Sequence, residues 1–366
     1  MICSLQSAID AINAMVPSSA SERDLLVAAK CRGLMAGYHD RWNGAPFQVE
    51  GVEKFVTADL INPATNTRSR TFRIAGKLDI TAWYEGERVI VDHKTTSEDI
   101  TDPGSPYWRQ LAIDTQATHY MLLELMHARK AAYALWDVLR KPSIAPKTLT
   151  KADGKAVLSS GKYFGRKIGL ISDERETLEM YESRLAYDCT NERPNWYFGR
   201  RMIPRLDSEL AEYASDLWAD GQEIIAARAN NRHSRNPGAC LMYGRPCNFL
   251  GICSGHDSPD SDRWKRKSWM HKELPADATD GRDVLTNSRL KSFRTCHRKH
   301  FYEYEMGIER VDEEEAEALL FGNVMHAAQE AWWLSSTNPK EKANECYSDA
   351  VIGIAPASTS ETASAI

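Results

Sequence analysis

The sequence predicts an α/β fold: a small mixed β-sheet with an acidic hairpin, flanked by helices and joined to a helical lobe that carries a cysteine cluster. Three observations predict it. Apolar residues recur at helical spacing in several capped runs, period-two alternation takes over from about Val49 to Thr96, and three cysteines crowd into residues 240–253.

With 366 residues and 42% apolar content, the chain can bury one large core or two smaller ones. No apolar run reaches the length of a membrane span, and the N-terminus lacks the basic start and apolar core of a signal peptide. The expectation is a cytoplasmic protein with no membrane partner. A net charge of −5 gives no global sign of a polyanion partner. Positive charge is local, at Arg200, Arg201 and Arg205, at Arg228, Arg232 and Arg235, and from Arg263 to Lys267, and each cluster by itself reads as a solvated face.

Along the chain, Ser21-x-x-Asp24 opens the apolar-periodic run "SERDLLVAAKCRGLMAGYHDRW" as a capped helix. The alternating stretch then reads as a meander of at least three strands, turned at Asn62–Asn66 and at Glu85-Gly86-Glu87. "LAIDTQATHYMLLELMHARKA" returns to helical spacing, as one helix over 110–131. Residues 143–165 read as a flexible excursion, and helices follow at about 174–192 and 206–231. The domain expectation is a core over 1–205 with its hairpin at 71–96, a helix and cysteine cluster over 206–256, a linker over 257–285, and a helical segment over 286–366 ending in a frayed "APASTSETASAI".

The hairpin carries the chemistry. In "RTFRIAGKLDITAWY", Phe72, Ile74, Leu78, Ile80 and Ala82 share one face, so Asp79 points to the other. On the next strand Ile90, Asp92 and Lys94 share a face, and a turn near Gly86 brings Asp79 beside Asp92 and Lys94. Two adjacent carboxylates repel unless a cation sits between them. Oxygen donors of that kind suit Mg²⁺ or Mn²⁺, with Lys94 placed to orient or activate a water. On spacing alone a surface hairpin with a cross-strand ion pair is the better reading, since D-x-K is a weak pattern.

Gly76-Lys-Leu-Asp79, then Asp92-His93-Lys94, then Gln116-Ala-Thr-His-Tyr120 resembles the motif set of the PD-(D/E)xK nuclease superfamily, RecB-like branch. The i, i+4 spacing puts Gln116 and Tyr120 on one helical face. The resemblance implies a restriction-endonuclease-like core and metal-dependent DNA hydrolysis, exo- or endonucleolytic, in repair, recombination or defence, with a helicase or recombination partner. It implies Asp79, Asp92 and a backbone carbonyl near His93 as metal ligands, Lys94 on the attacking water, and Gln116 and Tyr120 beside the phosphate backbone. The family usually has Glu at the second acid, where this chain has Asp92, a shorter arm.

Eight cysteines in a cytoplasmic chain argue against a disulfide framework. Cys3, Cys31, Cys189 and Cys346 stand alone. Cys240-x6-Cys247-x5-Cys253 is looser than paired C-x2-C zinc ligands. The trio resembles the [4Fe–4S] staple of AddB-like and CRISPR-adaptation nucleases, with Zn²⁺ the alternative. There the fourth cysteine comes from the family's N-terminal helix, and "SRLKSFRTCHRKHFYEYEMGI" resembles that opening motif, which makes Cys296 the candidate. "FGNVMHAAQEAW" resembles the following G-x-x-x-H motif, which makes His326 a further metal-ligand candidate.

Both of these N-terminal family motifs follow the C-terminal trio. Ala11–Glu22 and Ala350–Glu361 match at five of twelve positions, as though one sequence had been cut and rejoined. Either the chain is circularly permuted, with 286–349 folding back onto 20–255, or its pieces are completed by segment exchange with a neighbouring molecule. The rival functions are a catalytically inactive nucleic-acid-binding or scaffolding module and a zinc-stapled interaction protein.

Overall fold

The computed structural model describes residues 2–242, 244–271, 274–275, 280–311 and 316–336. Ser4 caps α1 (Leu5–Ala14), and Ser21 with Asp24 forms a reciprocal capping box on α2 (Glu22–Trp42). The alternating stretch folds as three antiparallel strands, β1 (Phe47–Ile61), β2 (Arg68–Tyr84) and β3 (Glu87–Thr96). Then come α3 (Pro106–Ala112), α4 (Thr115–Met126), β4 (Tyr133–Arg140), α5 (Leu178–Tyr187), β5 (Phe198–Pro204) and α6 (Asp207–Ala229). The chain returns with β6 (Asp283–Leu285), α7 (Asn287–Thr295) and α8 (Glu317–Leu334).

The six strands form one mixed sheet in the order β1-β2-β3-β4-β5, with β6 alongside β2. The β3–β4 and β2–β6 pairs are parallel and the others antiparallel. A parallel neighbour needs a long crossover, and α3 and α4 supply it between β3 and β4. Helices cover both faces. Val27, Leu34, Leu185, Trp332 and Trp333 pack on Val89, Val91, Leu135 and Leu139 from one side. Met121, Leu122, Leu217, Leu290 and Phe293 pack on Ile90, Trp136 and Val138 from the other. This is the α/β class the sequence predicts.

Several expectations change. Phe72, Ile74 and Leu78 belong to the second core, whereas Ile80 and Ala82 belong to the first. The change falls where β2 leaves β3, after the Ile80–Val91 pair, and the earlier part of β2 lies beside β6 instead. The helix expected over 110–131 breaks at Asp114, whose side chain accepts the Gln116 N–H and starts α4 afresh. The excursion at 143–165 contains a helix, Lys151–Ser160, capped by Thr150 and stopped by Gly161 at φ 62°. The linker supplies β6, and its Trp264–Arg266 strand pairs with Ile308–Arg310. The solvated face expected at 200–205 is instead structural: β5 pairs with β4, Arg200 ion-pairs with buried Asp137, and Arg205 donates to Thr118 and to the Ala112 carbonyl. The frayed tail, Cys346 and the Ala350–Glu361 stretch lie outside the described residues.

An ion network around the buried Arg289 ties the returning segment to the core. Arg289, 1% exposed, donates to Asp283 at 2.6 and 3.0 Å, to Glu305 at 3.1 Å and to the Val284 carbonyl at 2.8 Å. Arg228 on α6 grips the same two acids at 2.5–2.8 Å. Removing Arg289 strands Asp283 and Glu305 beside one remaining cation. Arg289→Ala should therefore destabilise the protein by about 1–3 kcal/mol in urea unfolding. A loss below about 1 kcal/mol would show that β6 and α7 are held by apolar packing alone.

Candidate active site

Asp79 sits on β2 immediately past the last β2–β3 pair, Ile80 with Val91. There β2 leaves β3, and β6 pairs with its earlier part at Phe72–Ile74. The His93 N–H at the divergence donates to Asp79 Oδ2 at 2.8 Å, a carboxylate standing where a strand carbonyl would be. Asp92 and Lys94 project from β3 on the side where Ile90 meets α4. The ladder thus delivers both acids to one spot.

Gln116 clamps the second acid. Its Nε2 donates to Asp92 Oδ1 at 2.8 Å and to the Tyr120 hydroxyl at 3.0 Å, and its Oε1 accepts from Lys94 Nζ at 2.9 Å. The Lys94 ammonium also pairs directly with Asp92 and lies 4.8 Å from the centre of the Trp136 ring. Gly76 makes room for this arrangement, since a Cβ there would lie 2.8 Å from the Tyr120 ring.

His326 arrives from α8. Its Nε2 lies 3.4 Å from Asp79 Oδ1 and 3.5 Å from Glu53 Oε1. This is the open side of the site, because the His326 side chain is 38% exposed. Among the described residues, Glu53, His326 and Glu330 bring ligand atoms that all lie within 4.8 Å of one another. Lys77 pairs with Glu53. On the other face of β3 the His93 ring is buried, and Gln329 Nε2 on α8 donates to its Nδ1 at 3.0 Å. Beside it Asp137 accepts from Tyr38 at 2.5 Å and Arg200 at 2.9 Å.

Burial, then the neighbouring Asp79 charge, push Asp92 above the usual carboxylate range against the pull of Lys94. Burial also works against charged Asp79, but His326, His93 and Lys94 outweigh it and hold that carboxyl low. Burial opposes the Lys94 charge too, yet Asp92 and Asp79 raise its pKa, so it stays an ammonium. The Asp79 hydrogen bond lifts His326 to about 9, against burial. Burial pushes His93 down to about 4 and keeps its ring neutral.

The donor set fits a hard divalent cation. Asp92 Oδ2 is buried against the Lys94 ammonium, and its carboxylate carries a repulsion from Asp79 that a cation between them would relieve. The cysteine lobe has its own donor set. Cys240 and Cys247 flank the short hairpin Leu241–Met242 and Arg245–Pro246, Cys253 lies in the helix Leu250–Ser254, and Cys296 ends α7. All four are half-buried free thiols lining one cavity of about 70 Å³. Four thiols around one void match the ligand count of an iron–sulfur or Cys₄ zinc centre. Cys3, Cys31 and Cys189 are buried apart from it in the main core.

A family model of the PD-(D/E)XK nuclease superfamily matches residues 4–254 and 284–362. The chain belongs to that superfamily. No curated protein and no solved structure matches it. Membership of the superfamily suggests metal-dependent nuclease activity. Among the described residues no helix is long and apolar enough to cross a membrane.

Sequence reasoning missed Glu53, Glu330, Asp137 and Gln329. Asp137 carried the same signal as Asp92, a lone acid in the apolar run "ALWDVL". Glu330 and Gln329 were open to inspection, at i+4 and i+3 from His326 on one helix. Glu53 offered no signal, because only the β1–β2 register sets it beside Asp79.

His326 yields a pH prediction for the metal-free protein. Its folded-state pKa is raised, so its stabilising contribution is complete below its ordinary value of 6.5 and fades as pH rises through about 9. In EDTA, the urea midpoint of wild type should exceed that of His326→Gln at pH 6, and the gap should close by about pH 10. A gap that widens with pH would contradict the Asp79–His326 pairing.

Proposed function

We propose that the protein is a RecB-like, metal-dependent deoxyribonuclease that hydrolyses phosphodiester bonds at Asp79, Asp92 and Lys94. The observation that carries this reading is the Asp92–Lys94–Gln116–Tyr120 network meeting Asp79 at the point where β2 leaves β3. Asp79, Asp92, His326 and the main-chain carbonyl at His93 would hold Mg²⁺ or Mn²⁺. Bound there, the cation supplies Lewis-acid stabilisation of the charge that develops on the scissile phosphate. Lys94, held as an ammonium, orients the attacking water and adds positive charge beside the phosphate, rather than taking a proton. Gln116 fixes the Asp92 and Lys94 rotamers and thus their aim.

On end-labelled DNA, Lys94→Met should lower kcat by about 10²–10³-fold, and Asp79→Asn and Asp92→Asn should abolish cleavage. Unchanged cleavage by Lys94→Met would remove it from the chemistry. DNA binding without cleavage by the wild type would favour a scaffolding module on the same fold.

The cysteine lobe is read as a [4Fe–4S] site of Cys240, Cys247, Cys253 and Cys296, which the shared cavity supports. Anaerobically purified protein should be brown and hold roughly four iron atoms per chain with acid-labile sulfide. Colourless protein with stoichiometric zinc would overturn this. The motif order is read as a circular permutation closed within one molecule. Its support is that β6 and α7–α8 pack onto the chain's own core, where Cys296 joins the trio and His326 approaches Asp79. DNA repair, recombination or defence, with a helicase partner, remains the wider setting suggested by the branch.

A further inference from the structure

Beside the cysteines lies a second, larger void of about 440 Å³, within the range of about 300–1,000 Å³ that holds ligands. Its walls come from the hairpin at 241–246, the paired strands Trp264–Arg266 and Ile308–Arg310, and the end of α7. Four cations line it: Arg245, Lys267, Lys299 and Arg310. Its two acids are already engaged, Glu303 by Ser292 at 2.7 Å and Lys299 at 4.0 Å, and Glu309 by Lys265 at 3.6 Å. Arg245 and Arg310 are exposed at the rim. The floor is aromatic, with Phe249 and Trp264 stacked at 5.4 Å.

A polar cavity with surplus positive charge and an aromatic floor suits a ligand with repeating phosphates and flat rings. We propose that this cavity binds one strand of the nucleic-acid substrate, with Arg245 and Arg310 on its phosphates and the Trp264 wall against a base. The assignment rests on the nuclease reading. Of the basic run at 263–267, Lys267 lines the cavity. Cys247 and Lys299 line both this void and the cysteine cavity, so one wall serves strand binding and the thiol site together.

The test separates binding from cutting. Asp92→Asn protein would be titrated against a fluorescein-labelled single-stranded oligothymidylate at several salt concentrations, with and without Arg245→Glu and Arg310→Glu. The double substitution should weaken binding at least tenfold. Losing two phosphate contacts should also flatten the log Kd–log salt slope by about 1.4. Lys130→Glu, at a surface pair with Asp207, should do neither. Circular dichroism and metal content check that the lobe is intact, and Arg245→Gln with Arg310→Gln, expected to show an intermediate loss, supplies a milder pair if the charge reversals misfold. Unchanged affinity and slope in a parent that binds DNA would overturn the cavity and leave the nuclease reading standing. Arginine-dependent binding by a wild type that never cuts would uphold the cavity and sink the nuclease reading. Competition by polyglutamate with no oligonucleotide binding would identify an acidic polypeptide ligand and reject the proposal.

Discussion

Two carboxylates held together at the divergence of β2 and β3 impose the main constraint on this molecule. Asp92 is buried, and Asp79 is largely buried beside the half-exposed His326. Such a pair is tolerated only where opposite charge and hydrogen-bond donors converge on it. The structure supplies Lys94 from the same strand, the Gln116 amide from α4, the His93 N–H from the sheet, and His326 from α8. Each comes from an element whose position is set by packing elsewhere, so the site reports on the whole fold. Gly76 shows how tight the fit is, since even a methyl group there would meet Tyr120.

The second dependence is on the late segment. β6 extends the sheet next to β2, and α8 covers β3 with Trp332 and Trp333 while reaching the site through His326. The Gln329–His93 hydrogen bond registers α8 against β3 from below, and His326 lies one turn away on that helix. Arg228 and Arg289 fasten the same segment through Asp283 and Glu305. Stability and site geometry therefore share a set of contacts that join distant parts of the chain.

Much of this was legible in the sequence for a physical reason. Acids and a lysine in an alternating apolar run are costly, so "KLDI" and "VIVDHK" stand out, and the i, i+4 pair Gln116–Tyr120 marks a helix face. The caps at Ser21 and Asp24 were equally plain. What stayed hidden depends on contacts between distant residues. The Asp114 break has a local cap signal but sits inside a continuous helical period. β5 and β6 are short edge pieces whose pairing partners lie far along the chain, at β4 and β2. Arg200 looked solvent-facing because nothing nearby in sequence announces Asp137, Tyr38 or the Trp42 ring 3.8 Å from its guanidinium.

The central claim is that the Asp79–Asp92 pair exists to hold a cation that drives phosphodiester hydrolysis. Its most direct test is metal add-back on one sample. Purified protein is stripped with chelator, mixed with end-labelled single- and double-stranded DNA, and then given Mg²⁺ or Mn²⁺ in excess. The account predicts no cleavage in chelator, cleavage on adding either ion, and none at any ion concentration in the Asp79→Asn, Asp92→Asn double variant. Cleavage that persists in chelator, or in the double variant, would contradict it.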